Sequence, residues 1–519
     1  MKRNTYLLVV FLTTALCSCQ NNPELDLLEN TFIPLPTFIE ATGSSFELNE
    51  ETKINTGEQS MSNLVTQTRN LLSPATGFEL ELAKGEKIRN NQIVLRVREE
   101  LSDKSGAYNL EINPNNILIE GSDESGVYFG LQTLMQVFSD DIVSKTDLPG
   151  IKWYAASGII KDSPRYQHRG AMLDVSRHFF SVEDVKSYID YLAMYKMNVL
   201  HMHLADDQGW RLEIKSWPKL TEKGSVSEVG GGAGGFYTQE EFKDLVRYAN
   251  NRYIDLIPEI DMPGHINAAL HAYPILNPKD KELPYYTGME VGFSTLDYDD
   301  PDTWVFIEDL IREIAEISPS PYIHIGGDET HATSPKDYRN FIPRIVDIVE
   351  KNGKSAMGWA DIAEAKLSDQ TVAQFWKPDP KNVRMAVDQG VKIIMSPATK
   401  AYLDQKYNED SRIGLKWASM IEIDDAYNWN PSTYLENVDE SQILGMEAAL
   451  WTETVENLDD LQWLVFPRLV GYGEVSWSSE DMRSWDDYKP RLKAHLNRLD
   501  LMDINYYKSP LLEEVALKK

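Results

Sequence analysis

Pro321-Tyr322-Ile323-His324-Ile325-Gly326-Gly327-Asp328-Glu329 is a short apolar strand that runs through two glycines and ends in two adjacent carboxylates. Such an ending sets acids at the mouth of a scaffold rather than in its core. Two neighbouring carboxyl groups at about 4 Å cannot both ionise freely, so one is pushed towards the protonated form of a general acid while the other keeps its charge. A bare Asp-Glu pair is ordinarily a solvated turn. The HxGG before this one sets it apart, and the division of labour suits cleavage of a glycosidic bond.

Working outward, the chain from residue 166 alternates short apolar strands with amphipathic helices, the pattern of parallel βα units. Candidate strands are 171–175, 198–204, 253–260, 322–325, 354–358, 371–375, 391–395 and 446–450. Eight such units close a (β/α)8, or TIM, barrel, whose active site lies at the C-terminal ends of the strands. Ser181-Val-Glu-Asp184 and Thr238-Gln-Glu-Glu241 read as capping boxes that start helices between strands. Before the barrel, residues 34–160 form a small α+β domain. It has strand patterns at 93–97, 108–112 and 117–120, and a helix over 126–138 with Tyr128, Leu131, Leu134, Met135 and Phe138 on one side. The catalytic domain is assigned to 161–508 and a C-terminal tail to 509–519. Gly230 to Gly235 is a mobile connection near the barrel mouth rather than a phosphate loop, since no Lys-Ser/Thr follows it.

At the other end, Lys2 and Arg3 precede an apolar run from Tyr6 to Leu16 that is too short to span a bilayer. With Leu16-Cys17-Ser18-Cys19 it reads as a signal peptide over 1–18 that resembles a bacterial lipobox, with Cys19 as the acylated residue. Residues 19–33 then form a tether, and the protein is exported and anchored by lipid to a bacterial membrane, on its periplasmic face or at the cell surface. Both cysteines of the chain lie at this junction and only Cys19 is kept after cleavage, so the folded body has no intrachain disulfide. The net charge of −30 argues against nucleic acid as a partner.

Polar clusters gather at the strand ends. Arg169 to Phe179 brackets the first barrel strand, and Arg169 is expected to fork hydrogen bonds onto vicinal hydroxyls, whereas Arg177 serves equally well as a structural salt bridge. His201 and His203 share one face of the second strand, which is zinc-ligand geometry. A hydrogen-bonded network beneath the site accounts better for them, because Glu259, Asp261 and His265 bring more acid than imidazole. Trp359, Trp376 and Trp451 stand at strand ends beside Glu453 and Tyr402-Leu-Asp404, where indole faces can meet the C–H faces of a sugar.

RGxxLDxxRHF, HxHLxDDQGWR, PEIDMPGH, HIGGDE, YLD and LWTE, in that order, resemble the family 20 glycoside hydrolases, the β-N-acetylhexosaminidases. The resemblance spans residues 163 to about 480 and reaches into the small domain. It implies an exo-acting, retaining enzyme for terminal β-linked GlcNAc or GalNAc, in which the substrate's own 2-acetamido oxygen attacks the anomeric carbon and an oxazolinium forms. On that pattern Glu329 is acid and base, Asp328 holds the acetamido N–H, and Tyr402 orients the acetamido oxygen. Trp359 and Trp376 wall the acetamido methyl, Trp451 lies under the ring, and Arg169, Asp404 and Glu453 bind hydroxyls. Asp206, Asp261, His265 and His324 are supporting residues, and no metal or cofactor is required. The partners implied are N-acetylhexosamine-containing glycans. Two competing readings are a non-catalytic glycan-binding lipoprotein and a zinc-dependent amidohydrolase built on His201 and His203.

Overall fold

The computed structural model describes residues 22–57, 59–85, 87–278 and 281–513. The signal peptide and Cys19 lie outside them. Among the described residues no helix is long and apolar enough to cross a membrane.

The small domain is a six-stranded sheet of β1 (Phe38–Leu48), β2 (Lys53–Asn55), β3 (Gln92–Val97), β4 (Tyr108–Ile112), β5 (Asn116–Gly121) and β6 (Trp153–Asp162), in the order β1-β6-β4-β5-β3-β2. The helix Glu124–Val137 packs on β3, β4 and β5. The sequence suggests one apolar side for it, yet every residue from Gly126 to Val137 is buried. Its second face is covered by the barrel: Tyr128 meets Tyr253 and Phe129 meets Trp477, with ring centroids 5.4 and 5.2 Å apart.

β7 (His168–Asp174), β8 (Val199–His203), β9 (Asp255–Glu259), β10 (Tyr322–His324), β11 (Ser355–Trp359), β12 (Val372–Phe375), β13 (Lys392–Met395) and β14 (Ile443–Leu450) form a closed barrel. Each pair is parallel, and β14 closes onto β7. All eight expected strands are present. Both capping boxes form, with Ser181 and Thr238 accepting from the backbone N–H groups of Asp184 and Glu241, which fixes where helices leave the barrel rim. Val199, Ile257, Met357, Val372 and Ile394, from β8, β9, β11, β12 and β13, make a separate apolar cluster.

Two expected boundaries move. The tether does not reach residue 33, because Leu27, Phe32 and Ile33 are buried and Asn30 donates to the carbonyls of Gln136 and Val137 at 3.0 Å. Burying three large apolar side chains outweighs the entropy of leaving that stretch free. Nor is 509–513 a free tail, since Ser509 and Leu512 are buried. The helix Trp485–Leu501 joins the two domains: Arg498 donates to the carbonyls of Met135 and Phe138 at 3.0 Å, and Arg491 to that of Phe32 at 2.7 Å.

Candidate active site

Register puts the polar strand ends in one layer. Asp174 is opposite His203, His203 opposite Glu259, and Glu259 opposite His324. Beyond His324 the backbone turns through Gly326 (φ +66°) and Gly327 (φ +96°), and Glu329 itself sits at φ +46°. A Cβ on Gly326 would lie 1.9 Å from Asp261 Oδ1, so only glycine lets the chain pass there. The Gly327 N–H donates to that same oxygen at 2.9 Å, and Tyr338 Oη donates to the Gly327 carbonyl at 2.6 Å. The strained turn points Asp328 and Glu329 into the mouth.

His265 stands between the acids, its Nε2 3.8 Å from Asp328 Oδ2 and 3.7 Å from Glu329 Oε2, with Nδ1 3.3 Å from Asp206. Burial would depress its imidazole, but the charges of Asp206 and Asp328 prevail and hold it well above its ordinary range. Burial and the charge of Asp328 raise the carboxyls of both Glu329 and Asp261. Asp206 goes the other way: burial opposes, yet Arg177 and His265 keep it ionised well below the carboxylate range. Asp328 Oδ1 is buried with no hydrogen-bond partner among the described residues, an acceptor suited to a ligand donor.

Beside the acids, Met172, Trp359, Trp376, Ala398, Tyr402 and Ala449 form a separate apolar cluster with Trp451 and Ala418 packed at its edge. The Trp359 ring is 6.4 Å from Trp376 and 5.6 Å from Trp451. Both indoles of the cluster are pinned, since Trp359 Nε1 donates to Glu259 at 2.9 Å and Trp376 Nε1 to Asp361 at 3.0 Å. Asp404 and Glu453 each have a buried carboxylate oxygen without a partner among the described residues. Burial and the charge of Glu453 push the Asp404 carboxyl up to about 8.

Next to this cluster, His203 bridges Glu259 (2.6 Å) and Asp206 (2.9 Å), and His201 contacts Glu447 (2.8 Å) and Glu259 (3.0 Å). Burial opposes protonation, but the paired carboxylates raise His201 to about 9 and His203 to about 10. His201, Glu259 and His324 bring ligand-type atoms within 4.8 Å of one another, as do Asp206, Asp207 and His265, and Asp261, His265 and Asp328. Within these groups His201 and His265 are paired with carboxylates, while burial holds His324 below its ordinary range as it contacts Glu259 at 2.9 Å. The fold brings Asp206, Asp261, His265 and His324 together beside the acids, with Glu259, to which the sequence reading gave no site role, contacting His201, His203, His324 and Trp359.

Arg169 requires a correction. As the second residue of β7 it lies at the opposite end from the mouth, where it donates to the carbonyls of Lys196 and Tyr166 at 2.8 Å and lies over the Phe129 and Trp477 rings. The arginine at the mouth is Arg177, three residues past the strand's end. It is paired with Asp206 at 2.8 Å and Asp174 at 3.4 Å, with its guanidinium 4.8 Å from the Trp451 ring. Counting from the strand's end would have identified it. Trp417 was also missed: half-exposed, it stands edge-on to Trp376 and Tyr402 at 6.0 Å. No nearby strand pattern marks it.

The model of glycosyl hydrolase family 20, catalytic domain, matches residues 166–340 and 331–480, and that of glycosyl hydrolase family 20, domain 2, matches 30–163. A β-N-acetylhexosaminidase of Cellulomonas fimi is 38% identical over 442 residues, 85% of this chain and 88% of that protein. The structure of the family 20 β-N-acetylhexosaminidase of Streptomyces coelicolor A3(2) superposes with a TM-score of 0.90 at 40% identity, covering 95% of this chain and all of the other. A mutant Streptomyces plicatus β-hexosaminidase in complex with its product GlcNAc superposes equally well, at 39% identity over 95% of this chain and all of the other.

Proposed function

Because the chain belongs to glycosyl hydrolase family 20, we propose that Glu329, Asp328 and Tyr402 carry its reaction. The protein is an exo-acting β-N-acetylhexosaminidase that removes terminal, non-reducing β-linked N-acetylhexosamine. The substrate's acetamido oxygen attacks the anomeric carbon while Glu329 gives its proton to the departing glycosidic oxygen. The bond to the leaving group breaks and a cyclic oxazolinium forms. Glu329, now a carboxylate, takes a proton from water as that water opens the ring, and configuration is retained. Asp328 accepts the acetamido N–H and offsets the ring's positive charge, and Tyr402 donates to the acetamido oxygen. Trp359 and Trp376 enclose the methyl, Trp451 lies under the ring, and Asp404, Glu453 and Arg177 take hydroxyls.

The observation that carries this reading is the Asp328-Glu329 pair, with the Glu329 carboxyl raised by burial and by the adjacent charge of Asp328, next to the apolar cluster of Trp359, Trp376 and Tyr402 edged by Trp451. The test is turnover of an aryl β-GlcNAc. Glu329→Gln should lose about 10²–10⁴-fold in rate with binding largely kept, and wild-type turnover by that variant would remove Glu329 from its role. Recovery of a covalent glycosyl ester on the protein, or equal rates on aryl β-glucosides lacking the acetamido group, would exclude substrate assistance.

We further propose that the chain is exported and acylated at Cys19. The support is the sequence of the leader alone: the Lys2-Arg3 start, the apolar run and Leu16-Cys17-Ser18-Cys19. Full-length protein should partition into a detergent phase and Cys19→Ser into the aqueous phase; identical partitioning would refute lipidation.

A further inference from the structure

A general acid must reach the oxygen it protonates, at about 2.6–3.2 Å. The leaving part of the substrate therefore departs across Glu329, over whatever packs behind that residue. What packs there is the segment 283–296. A Cβ on Gly292 (φ +77°) would lie 2.7 Å from the Glu329 carbonyl oxygen and 2.6 Å from the His331 ring, so the segment is pressed against the acid's own backbone.

The segment is tied down on both sides of its tip. Gln208 Nε2 donates to the Gly288 carbonyl at 2.8 Å and the Gly230 N–H to that of Thr287 at 2.9 Å. Ser294 Oγ donates to Asp207 at 2.5 Å and accepts from the Ile266 N–H at 3.0 Å. These anchors are residues that follow β8 and β9, at the same end of the barrel as Asp328.

Around this tip the exposed side chains are mostly apolar. Tyr285, Met289, Val291 and Phe293 are 50%, 54%, 37% and 44% exposed. The Tyr286 and Phe293 rings lie 4.6 Å apart at 58°, and Tyr286 Oη accepts from the Glu290 N–H at 2.6 Å, which fixes the ring. Scattered exposed apolar residues need no explanation, but a cluster beside a reactive group marks a contact surface. The charges around it are one-sided, with Glu290 on the segment and Asp206 and Asp207 acting on the Tyr286 phenol. Anionic ligands are disfavoured there by like-charge repulsion.

We propose that Tyr286, Met289 and Phe293 form the platform for the leaving group, and that its ligand is the neutral sugar ring next to the scissile bond, stacked by its C–H face. This rests on Glu329 as the acid. It adds a substrate class to that reading: uncharged β-linked oligosaccharides are preferred over GlcNAc glycosides with a minimal leaving group.

The test uses the full chain and the variants Phe293→Ser, Met289→Ser and Tyr286→Ala. Substrates are methyl β-GlcNAc, whose leaving group is too small to reach the platform, N,N'-diacetylchitobiose, a 6-sulfated disaccharide and a long-alkyl β-GlcNAc glycoside. The variants should lose about 3–10-fold in kcat/KM on the neutral disaccharide, mainly through KM. They should stay within about twofold of wild type on the methyl glycoside, which also controls for folding. Wild-type enzyme should favour the neutral over the sulfated disaccharide. Equal losses on methyl glycoside and disaccharide, no loss on the disaccharide, or a loss confined to the alkyl glycoside would each overturn the proposal. Failure of the Glu329 assignment would show separately, as activity retained by Glu329→Gln on methyl β-GlcNAc.

Discussion

At the scale of single residues, the chemistry depends on carboxyl groups held away from their ordinary ionisation. Burial withdraws water from Glu329 and the charge on Asp328 repels a second anion beside it, while His265, Lys377 and Arg177 oppose the shift without cancelling it. The protonated acid therefore persists above the usual carboxylate range near about 4.3, and kcat/KM should fall as pH rises through this raised pKa. Asp328→Asn removes the repelling charge, so the alkaline limb of the pH–rate profile should move to lower pH; an unmoved limb would contradict the coupling. Asp404 supplies a second prediction, about stability. Its carboxyl is raised to about 8 by burial and by Glu453, so the folded state holds this proton more tightly than the unfolded chain. The corresponding stability is complete below about pH 4 and is lost as pH rises through 8. Asp404→Asn cannot ionise. Its melting temperature relative to wild type should rise between pH 5 and 9 in thermal unfolding, while affinity for the sugar falls.

At the scale of elements, the decisive piece is the turn that follows β10. It carries three departures into positive φ within four residues, at Gly326, Gly327 and Glu329, and His265 across the mouth is at φ +51°. Non-glycine residues in that region are strained, and such strain is held only where surrounding contacts fix it. Here the contacts are Asp261 on the Gly327 N–H and Tyr338 on its carbonyl. Gly326→Ala would drive a methyl to 1.9 Å from Asp261 Oδ1. The expected loss is more than ~2 kcal/mol in chemical denaturation, from overpacking and a disfavoured φ together. The residual folded protein should show kcat well below wild type, because Asp328 and Glu329 are displaced together. A variant of unchanged stability and rate would show that the turn does not position the acids. The same element-scale argument separates Arg169 in β7 from Arg177 beyond it: a residue near a barrel strand's start lies at the floor, and one just past its end lies at the mouth.

At the scale of the molecule, the small domain closes the barrel's floor. Asp162, at the end of β6, accepts from Lys196 Nζ at 3.0 Å, Trp477 Nε1 at 2.9 Å and Tyr108 Oη at 2.9 Å, all buried. Asp162→Ala would leave the Lys196 ammonium buried without its partner, at a cost of about 3–5 kcal/mol. Denaturant unfolding should show that loss, with KM for an aryl β-GlcNAc near wild type, since the residue is remote from the mouth. The eight barrel strands, the capping boxes, the strand patterns of the small domain and the acid pair were legible in the sequence, because period-two apolar runs, Ser/Thr-x-x-Asp/Glu caps and strand-terminal carboxylates are local signals. The motifs also gave Tyr402, Asp404, Trp451 and Glu453, which the fold brings to one mouth. Local signals could not show that Leu27, Phe32 and Ile33 dock on the body, or that Glu259 joins His203 to Trp359. Those depend on pairing register and on surfaces brought together from hundreds of residues apart. The sequence by itself determined which elements form and which side chains are reactive; the tertiary structure alone decided which of them share a buried environment, and burial beside a fixed charge is what moves a carboxyl into the range where it can act.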